Sequence, residues 1–188
     1  LTVAFFPESQ GDSCQAKDIS KAITLTTYTI PSAYTCFNMS DIFTMNSSTG
    51  FQMTQDQRFW KLKDHTNGIA WELFNQDLYD ERANYTHTWL RMRKPTVNQD
   101  GKRSLWRYYQ YTLPDCRDVR IGHEDSDDVP FSWVSCQTSE DGLCKSAAYP
   151  IGSFAIYNTG DEGDDYDCDN WTQFGAGATV GTNVGVLI

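Results

Sequence analysis

Basic residues and long apolar runs are scarce in this sequence, and both shortages limit the partners it can have. The 15 lysines and arginines are outnumbered by 25 aspartates and glutamates, which leaves a net charge of −10. Nucleic acids and anionic membranes bind clustered cations, so the sequence predicts that the chain binds neither. No apolar run approaches the ~20 residues that span a bilayer, which predicts a soluble protein.

Familiar catalytic and zinc-binding motifs are missing as well. The sequence contains no G-x-S-x-G, no H-E-x-x-H, no C-x-x-C pair and no cysteine–histidine spacing of a zinc site. The histidines, His65, His87 and His123, are far apart. These absences leave open whether the protein is an enzyme.

The sequence does contain an even number of cysteines together with N-glycosylation sequons. The cysteines are Cys14, Cys36, Cys116, Cys136, Cys144 and Cys168, and the sequon asparagines are Asn38, Asn46, Asn84 and Asn170. Disulfides persist in oxidising compartments, so the two patterns together predict a secreted, extracellular glycoprotein. Residues 1–8 lack the basic start of a signal peptide, and we interpret them as a mature N-terminus.

The spacing of the cysteines does not fix their pairing, because six cysteines allow many connectivities. Proximity along the chain favours the pairs Cys136–Cys144 and Cys14–Cys36, which leaves Cys116–Cys168.

Short runs rich in β-branched and aromatic residues recur along the chain, separated by turn residues. Strand candidates outside the hairpins described next are 1–6, 22–30, 34–37, 131–137, 153–158 and 178–188. Many short strands with turns between them are typical of an antiparallel β-sandwich or jelly roll. The sequence therefore predicts an all-β fold with little helix, stapled by disulfides, in which residues 1–188 form a single secreted β domain.

The dipeptide Asp100-Gly101 lies between two alternating runs, 85–94 and 105–113, and predicts a β-hairpin with a type I′ turn. In a two-residue register Leu90 faces Tyr111.

A second hairpin is predicted around Asn67-Gly68, with 58–63 and 69–74 as its strands and with Lys63 facing Glu72. The two hairpins would lie side by side in one antiparallel meander.

One face of the Asp100-Gly101 hairpin, called here the hairpin face, combines aromatic rings with polar donors. Its predicted substrate-binding residues are Trp89, Arg91, Arg93, Trp106, Tyr108 and Gln110. Pyranose rings stack on Trp and Tyr, while Arg and Gln bind hydroxyls or carboxylates. The hairpin face therefore predicts binding of an extracellular or cell-wall polysaccharide, including an acidic one.

Other interpretations stay open. Aromatic residues on both sides of a strand are also typical of a strand buried on both faces. A polysaccharide-cleaving enzyme, either a uronate lyase or a carboxylate-pair glycoside hydrolase, would use His87, Arg91, Tyr108, Gln110 and Glu72 as candidate catalytic residues. A third class is a non-catalytic secreted effector or surface interaction protein.

The segment 161–169 holds six carboxylates in nine residues. Calcium binds several oxygen ligands on a loop, so the candidate metal ligands are Asp161, Glu162, Asp164, Asp165, Asp167 and Asp169. The spacing departs from the EF-hand pattern, and a solvated acidic loop is the alternative interpretation.

Overall fold

The structure, a computed structural model, describes residues 1–54, 67–93, 100–117, 129–159 and 167–174. Within these ranges the strands are β1 (Thr2–Pro7), β2 (Ile23–Thr26), β3 (Thr35–Asn38), β4 (Thr49–Met53), β5 (Gly68–Phe74), β6 (Tyr85–Arg91), β7 (Arg103–Tyr111), β8 (Phe131–Cys136), β9 (Leu143–Ser146), β10 (Ser153–Asn158) and β11 (Thr172–Phe174). The helices α1 (Gly11–Gln15) and α2 (Met39–Phe43) are short. The prediction of an all-β fold with little helix is confirmed.

The strands form two antiparallel sheets. The first sheet has the order β4-β5-β2-β1-β6-β9, and the second has the order β11-β8-β7-β10-β3. No helix in the described ranges is long and apolar enough to cross a membrane.

Strand β1 lies near the centre of the first sheet and is buried on both of its faces. Val3 and Phe5 belong to the main hydrophobic core, whereas Ala4 and Phe6 belong to a smaller cluster on the opposite side of the strand. This double burial explains why β1 is almost uniformly apolar instead of alternating with polar residues.

The main core lies where the inner faces of the two sheets meet. The ring of Phe5 in the first sheet lies 5.0 Å from that of Phe154 in the second, and Phe154 stacks on Phe37 at the same distance. A buried hydrogen bond of 2.9 Å from Thr88 Oγ1 to Gln110 Oε1 also joins the sheets. The sheets therefore share one apolar interior with a polar contact inside it.

All six cysteines form disulfides, which confirms the prediction of a disulfide-stapled chain. The bonds are Cys14–Cys144, Cys36–Cys116 and Cys136–Cys168. The predicted pairs Cys136–Cys144, Cys14–Cys36 and Cys116–Cys168 are therefore wrong. Cys136 ends β8 in the second sheet while Cys144 lies in β9 of the first, so their closeness in sequence does not bring them together.

The hairpin predicted around Asp100-Gly101 is also wrong, because β6 belongs to the first sheet and β7 to the second. The turn itself is present, and Gly101 has a φ of 75°. The end of β8 separates the two strands: Gly101 N donates to Gln137 O, while Thr138 N donates to Met92 O. The predicted Leu90–Tyr111 pairing is therefore absent, and β6 pairs with β1 and β9 instead.

For the second predicted hairpin, around Asn67-Gly68, the structure describes only one of the two predicted strands. Residues 58–63 lie outside the described residues, as does the strand candidate 178–188. Strand β5 forms as predicted, but the direct neighbours of Glu72 are Thr49 and Thr26, so the predicted pairing with Lys63 is wrong. The single meander is wrong too, since β5 and β6 are separated by β2 and β1.

Candidate functional site

The β7 residues of the hairpin face point into the core. Tyr108 and Gln110 are fully buried, and Trp106 Nε1 donates to Thr29 O at 2.8 Å. Burial, together with the nearby Tyr149, raises the pKa of Tyr108 well above its usual value, so its hydroxyl stays protonated. These three side chains hold the two sheets together and are closed to a polysaccharide.

The β6 residues of the hairpin face lie on the other side of the first sheet. Trp89 is buried there, with its indole Nε1 donating to Asp141 O at 3.0 Å. Arg91 lies over the Trp89 ring at 5.7 Å, and Arg93 forms an ion pair of 3.1 Å with Glu140. The predicted substrate-binding residues therefore do not form one surface.

Helix α1 and the turn before β9 cover Trp89. The disulfide Cys14–Cys144 joins α1 to β9, and Cys14, Ala22 and Phe6 pack in the same small cluster as Trp89. Gly142 has a φ of 72°, and a Cβ there would meet the indole at 2.4 Å. Glycine is thus required both by the turn and by the close approach of Trp89.

The candidate catalytic residues are dispersed. His87 packs against Gly11, and its Nδ1 lies 3.0 Å from Thr86 Oγ1. It belongs to the outer side of β6, opposite to Tyr108 and Gln110 in the core, while Glu72 is exposed on β5. The structure does not bring these groups together around a common point.

The metal-ligand candidates fall mostly in a part of the chain about which the structure says nothing. Asp161, Glu162, Asp164 and Asp165 lie outside the described residues. Asp167 is exposed, and Asp169 Oδ2 lies 3.4 Å from Arg107 Nη2. Among the described residues no group of three or more candidate ligands comes together, and calcium binding by the loop stays a prediction.

Three of the four sequon asparagines, Asn46, Asn84 and Asn170, are exposed. Asn38 is half-buried, and its Nδ2 donates to both Asp41 Oδ2 and Asp115 Oδ1 at 2.9 Å. N-glycosylation stays a prediction, but the amide of Asn38 already has a structural role.

Sequence analysis missed a set of rings on the outward side of the second sheet, which we call the aromatic face. Its members are Tyr34, Tyr109, Tyr111, Phe131, Trp133, Tyr157 and Phe174. Because Tyr108 and Gln110 point inward, the alternation of β7 turns Tyr109 and Tyr111 outward. The register of the neighbouring strands then places Trp133 beside Tyr109 and Phe131 beside Tyr111.

The rings of the aromatic face form a continuous series of contacts. Tyr34 lies 5.7 Å from Tyr109, which lies 6.5 Å from Trp133. Trp133 lies 5.5 Å from Phe131, which in turn lies 5.6 Å from Phe174. Phe174 is exposed, most of the other rings are half-buried, and Tyr111 is buried.

Small residues beside the rings shape this surface. Ala155 of β10 lies between Tyr109 and Cys36, so no bulky side chain separates β7 from β3 at this level. Tyr34 crosses this space, and its hydroxyl donates to Tyr111 Oη at 2.7 Å. The hydroxyl contact holds two rings of the aromatic face in fixed positions.

The charge of Arg107 on this side of the sheet is compensated. Arg107 lies beside Tyr157 in the register, and its ion pair with Asp169 neutralises it. Ser135 Oγ donates a hydrogen bond to the backbone-anchored Asp169, which fixes the carboxylate beside the sheet. The aromatic face therefore offers rings and hydroxyls, and Arg107 beside it is already paired.

One signal in the sequence points to the aromatic face. Phe131 and Trp133 alternate with serine in Phe-Ser-Trp, which is the pattern of a strand with one aromatic side. The partners of these rings lie in distant parts of the chain, so the sequence alone does not join them.

Comparison of the chain with models of protein families, with curated proteins and with solved structures found no match. The function must therefore be argued from the site alone.

Proposed function

We propose that the protein is a secreted glycoprotein that binds a neutral extracellular or cell-wall polysaccharide on its aromatic face, without cleaving it. The observation that carries this proposal is the continuous series of seven rings on the outward side of one sheet. Secretion is supported by the three disulfides and by the exposed sequon asparagines.

Ring stacking is the chemistry that such a surface offers to a sugar. A pyranose presents C–H bonds on its face, and these pack on aromatic planes, while hydroxyls of tyrosine exchange hydrogen bonds with sugar hydroxyls. The rings lie on a disulfide-linked sheet whose inner side is buried in the core. Rings held on such a sheet lose little conformational entropy on binding, which lowers the cost of ordering a sugar chain on them.

Charge favours a neutral ligand over an acidic one. Arg91 and Arg93, which suggested an acidic glycan, lie on the first sheet, and Arg107 is paired with Asp169. The net charge of −10 opposes the approach of a polyuronate.

Binding without cleavage is favoured because the candidate catalytic residues are dispersed. His87 lies on the outer side of the first sheet, whereas Tyr108 lies in the core. A uronate lyase needs a base at C5 and an acid at the leaving oxygen on C4 of the same sugar ring.

The second candidate is an interaction protein that binds another protein through the same surface. Tyrosine, tryptophan and phenylalanine are enriched at protein interfaces, and the aromatic face is rich in all three.

Sedimentation of the protein with insoluble neutral polysaccharides tests the proposal. Cellulose, chitin and an insoluble β-glucan serve as probes, and pectate serves as the acidic comparison. Trp133→Ala removes a central ring, and Phe51→Ala is the matched control because Phe51 is an exposed ring on the first sheet.

We expect Trp133→Ala to weaken binding to at least one neutral polysaccharide roughly 3- to 10-fold, while Phe51→Ala binds like the wild type. Failure of the wild type to sediment with any neutral probe would favour the interaction protein. Equal binding by both variants would contradict the assignment of polysaccharide binding to the aromatic face.

A further inference from the structure

Asn46 lies on an exposed loop that runs beside β5 and the turn after it. Gln76 Nε2 donates to Met45 O at 2.7 Å, and Leu73 N donates to Ser48 O at 2.7 Å. These two contacts flank Asn46 and hold its backbone at a fixed place beside residues 73–76. Its side chain is exposed.

Large apolar side chains are exposed on the same segments. Met45 has 38%, Phe74 46% and Leu78 49% of its surface exposed. The contacts at Met45 O and Ser48 O bring the segments that carry these side chains together, and exposed apolar groups on adjoining segments promote self-association unless something covers them. The loop also leads into β4, which ends the first sheet within the described residues. A sheet edge is itself a template for pairing with another chain. Exposed apolar side chains and the edge of β4 therefore both favour self-association in this region.

We propose that Asn46 carries an N-linked glycan and that this glycan shields Met45, Phe74 and Leu78 from contact with other molecules. An N-glycan is bulky and strongly hydrated, and its first sugars have C–H faces that pack on apolar side chains. The sequon Asn46-Ser47-Ser48 supplies the acceptor directly after Met45, on the loop held beside residues 73–76. The inference rests on the secretion included in the proposed function, but not on polysaccharide binding.

Secretion of the whole chain from a eukaryotic host tests the shield. Asn46→Gln and Ser48→Ala each destroy the sequon by a different change, and Asn84→Gln is the matched control because Asn84 is an exposed sequon asparagine on another loop. Glycopeptide mass spectrometry measures occupancy. Sedimentation velocity and the fluorescence of an apolar dye measure self-association and exposed apolar surface.

The wild type should carry a glycan at Asn46. Loss of the sequon by either route should raise dye fluorescence at least about 3-fold and produce concentration-dependent dimers or larger species, whereas Asn84→Gln should match the wild type. Adding Phe74→Ser and Leu78→Ser to Asn46→Gln should return both readouts to the wild-type level.

An unmodified Asn46 in protein that carries a glycan at Asn84 would contradict the proposed glycan shield, while the proposal that the protein is secreted would stand. Sequon variants that stay monomeric and bind no extra dye would overturn it as well. Both results leave the sedimentation of the protein with polysaccharides unaffected, so the two proposals fail separately.

Discussion

Asn38 illustrates how a single residue can match a modification motif and yet serve the fold. Its Nδ2 donates to Asp41 and Asp115, while its Oδ1 accepts from the backbone N of Asp115 at 2.6 Å. These contacts lie beside the Cys36–Cys116 disulfide and attach the segment after β7 to β3. The side chain therefore stabilises a junction of the second sheet.

Replacing Asn38 with alanine should lower the free energy of unfolding by about 1–3 kcal/mol, because the backbone N of Asp115 and two carboxylates lose their partner. The change is measured by chemical denaturation of protein made without glycosylation. Asn46→Ala is the control and should stay within about 0.5 kcal/mol of the wild type. Equal stability of the two variants would show that the Asn38 contacts contribute nothing.

Tyr149 makes stability depend on alkaline pH. Burial raises its pKa from 10.0 to about 12, although the hydrogen bonds that its hydroxyl makes with Ser132 Oγ and Gln110 O oppose the shift. Between these two pKa values the unfolded chain releases the proton and the folded chain keeps it. The contribution of protonated Tyr149 to the free energy of unfolding is therefore complete below pH 10 and is lost as the pH rises through about 12.

We expect the free energy of unfolding to fall above pH 10 with a slope of up to ~1.4 kcal/mol per pH unit from this group. Tyr149→Phe removes the ionisation and should give a shallower slope in urea titrations at matched pH values. The same slope in both proteins would contradict the assignment.

Strand β7 explains which parts of the fold could be read from sequence and which could not. The strand itself was predictable from its alternation and β-prone residues. Which side faces inward was not, since Tyr108 and Tyr109 are chemically identical neighbours. Leu105, on the same side of the strand as Tyr109, is only half-buried, and the buried side is set by contacts with Phe154 and Thr88 on other strands.

Strand pairing was unpredictable for the same reason. The Asp100-Gly101 turn is real, but a turn only reverses the chain and does not require the strands on each side to pair. Strand β6 instead pairs with β1, about 80 residues earlier in the chain, where apolar burial on both faces outweighs the local turn signal. The aromatic face was missed because its rings meet only after this long-range pairing.

The inner face of β10 joins the two sheets, so Phe154→Ala should be among the most damaging core changes. The ring contacts Phe5 and Phe37 and is fully buried, and its removal should lower the free energy of unfolding by about 3–5 kcal/mol. Phe174→Ala on the exposed edge of the same sheet is the control and should change stability far less. Thermal or chemical denaturation that ranks the two variants in the opposite order would contradict this packing.

The disulfides connect elements that are distant in sequence, and their pairing is directly measurable. Peptide mapping of the unreduced protein should recover the pairs Cys14–Cys144, Cys36–Cys116 and Cys136–Cys168. Reduction of each linked pair should release two peptides, and their masses should identify these cysteines and not the pairs of neighbouring cysteines predicted from the sequence. Recovery of a peptide that joins Cys136 to Cys144 would contradict the assignment of β8 and β9 to different sheets.

At the scale of the whole molecule, two sheets share one core and expose different chemistry on their outer sides. The first sheet is covered in part by α1, and on this side Arg91 lies over Trp89 and Arg93 is paired with Glu140. The second sheet carries the aromatic face. Because the proposed ligand is neutral, polysaccharide binding should depend weakly on salt, despite the overall charge of −10.

The most direct test of the account is to follow the tryptophan indole N–H signals by NMR during titration with a soluble oligosaccharide of the neutral polysaccharide that binds. Trp133 lies on the aromatic face, whereas Trp89 and Trp106 are buried with their indoles hydrogen-bonded to Asp141 O and Thr29 O. We predict a saturable shift of the Trp133 signal, with those of Trp89 and Trp106 unchanged. Saturable shifts at Trp89 or Trp106, with Trp133 unmoved, would contradict the assignment of binding to the aromatic face.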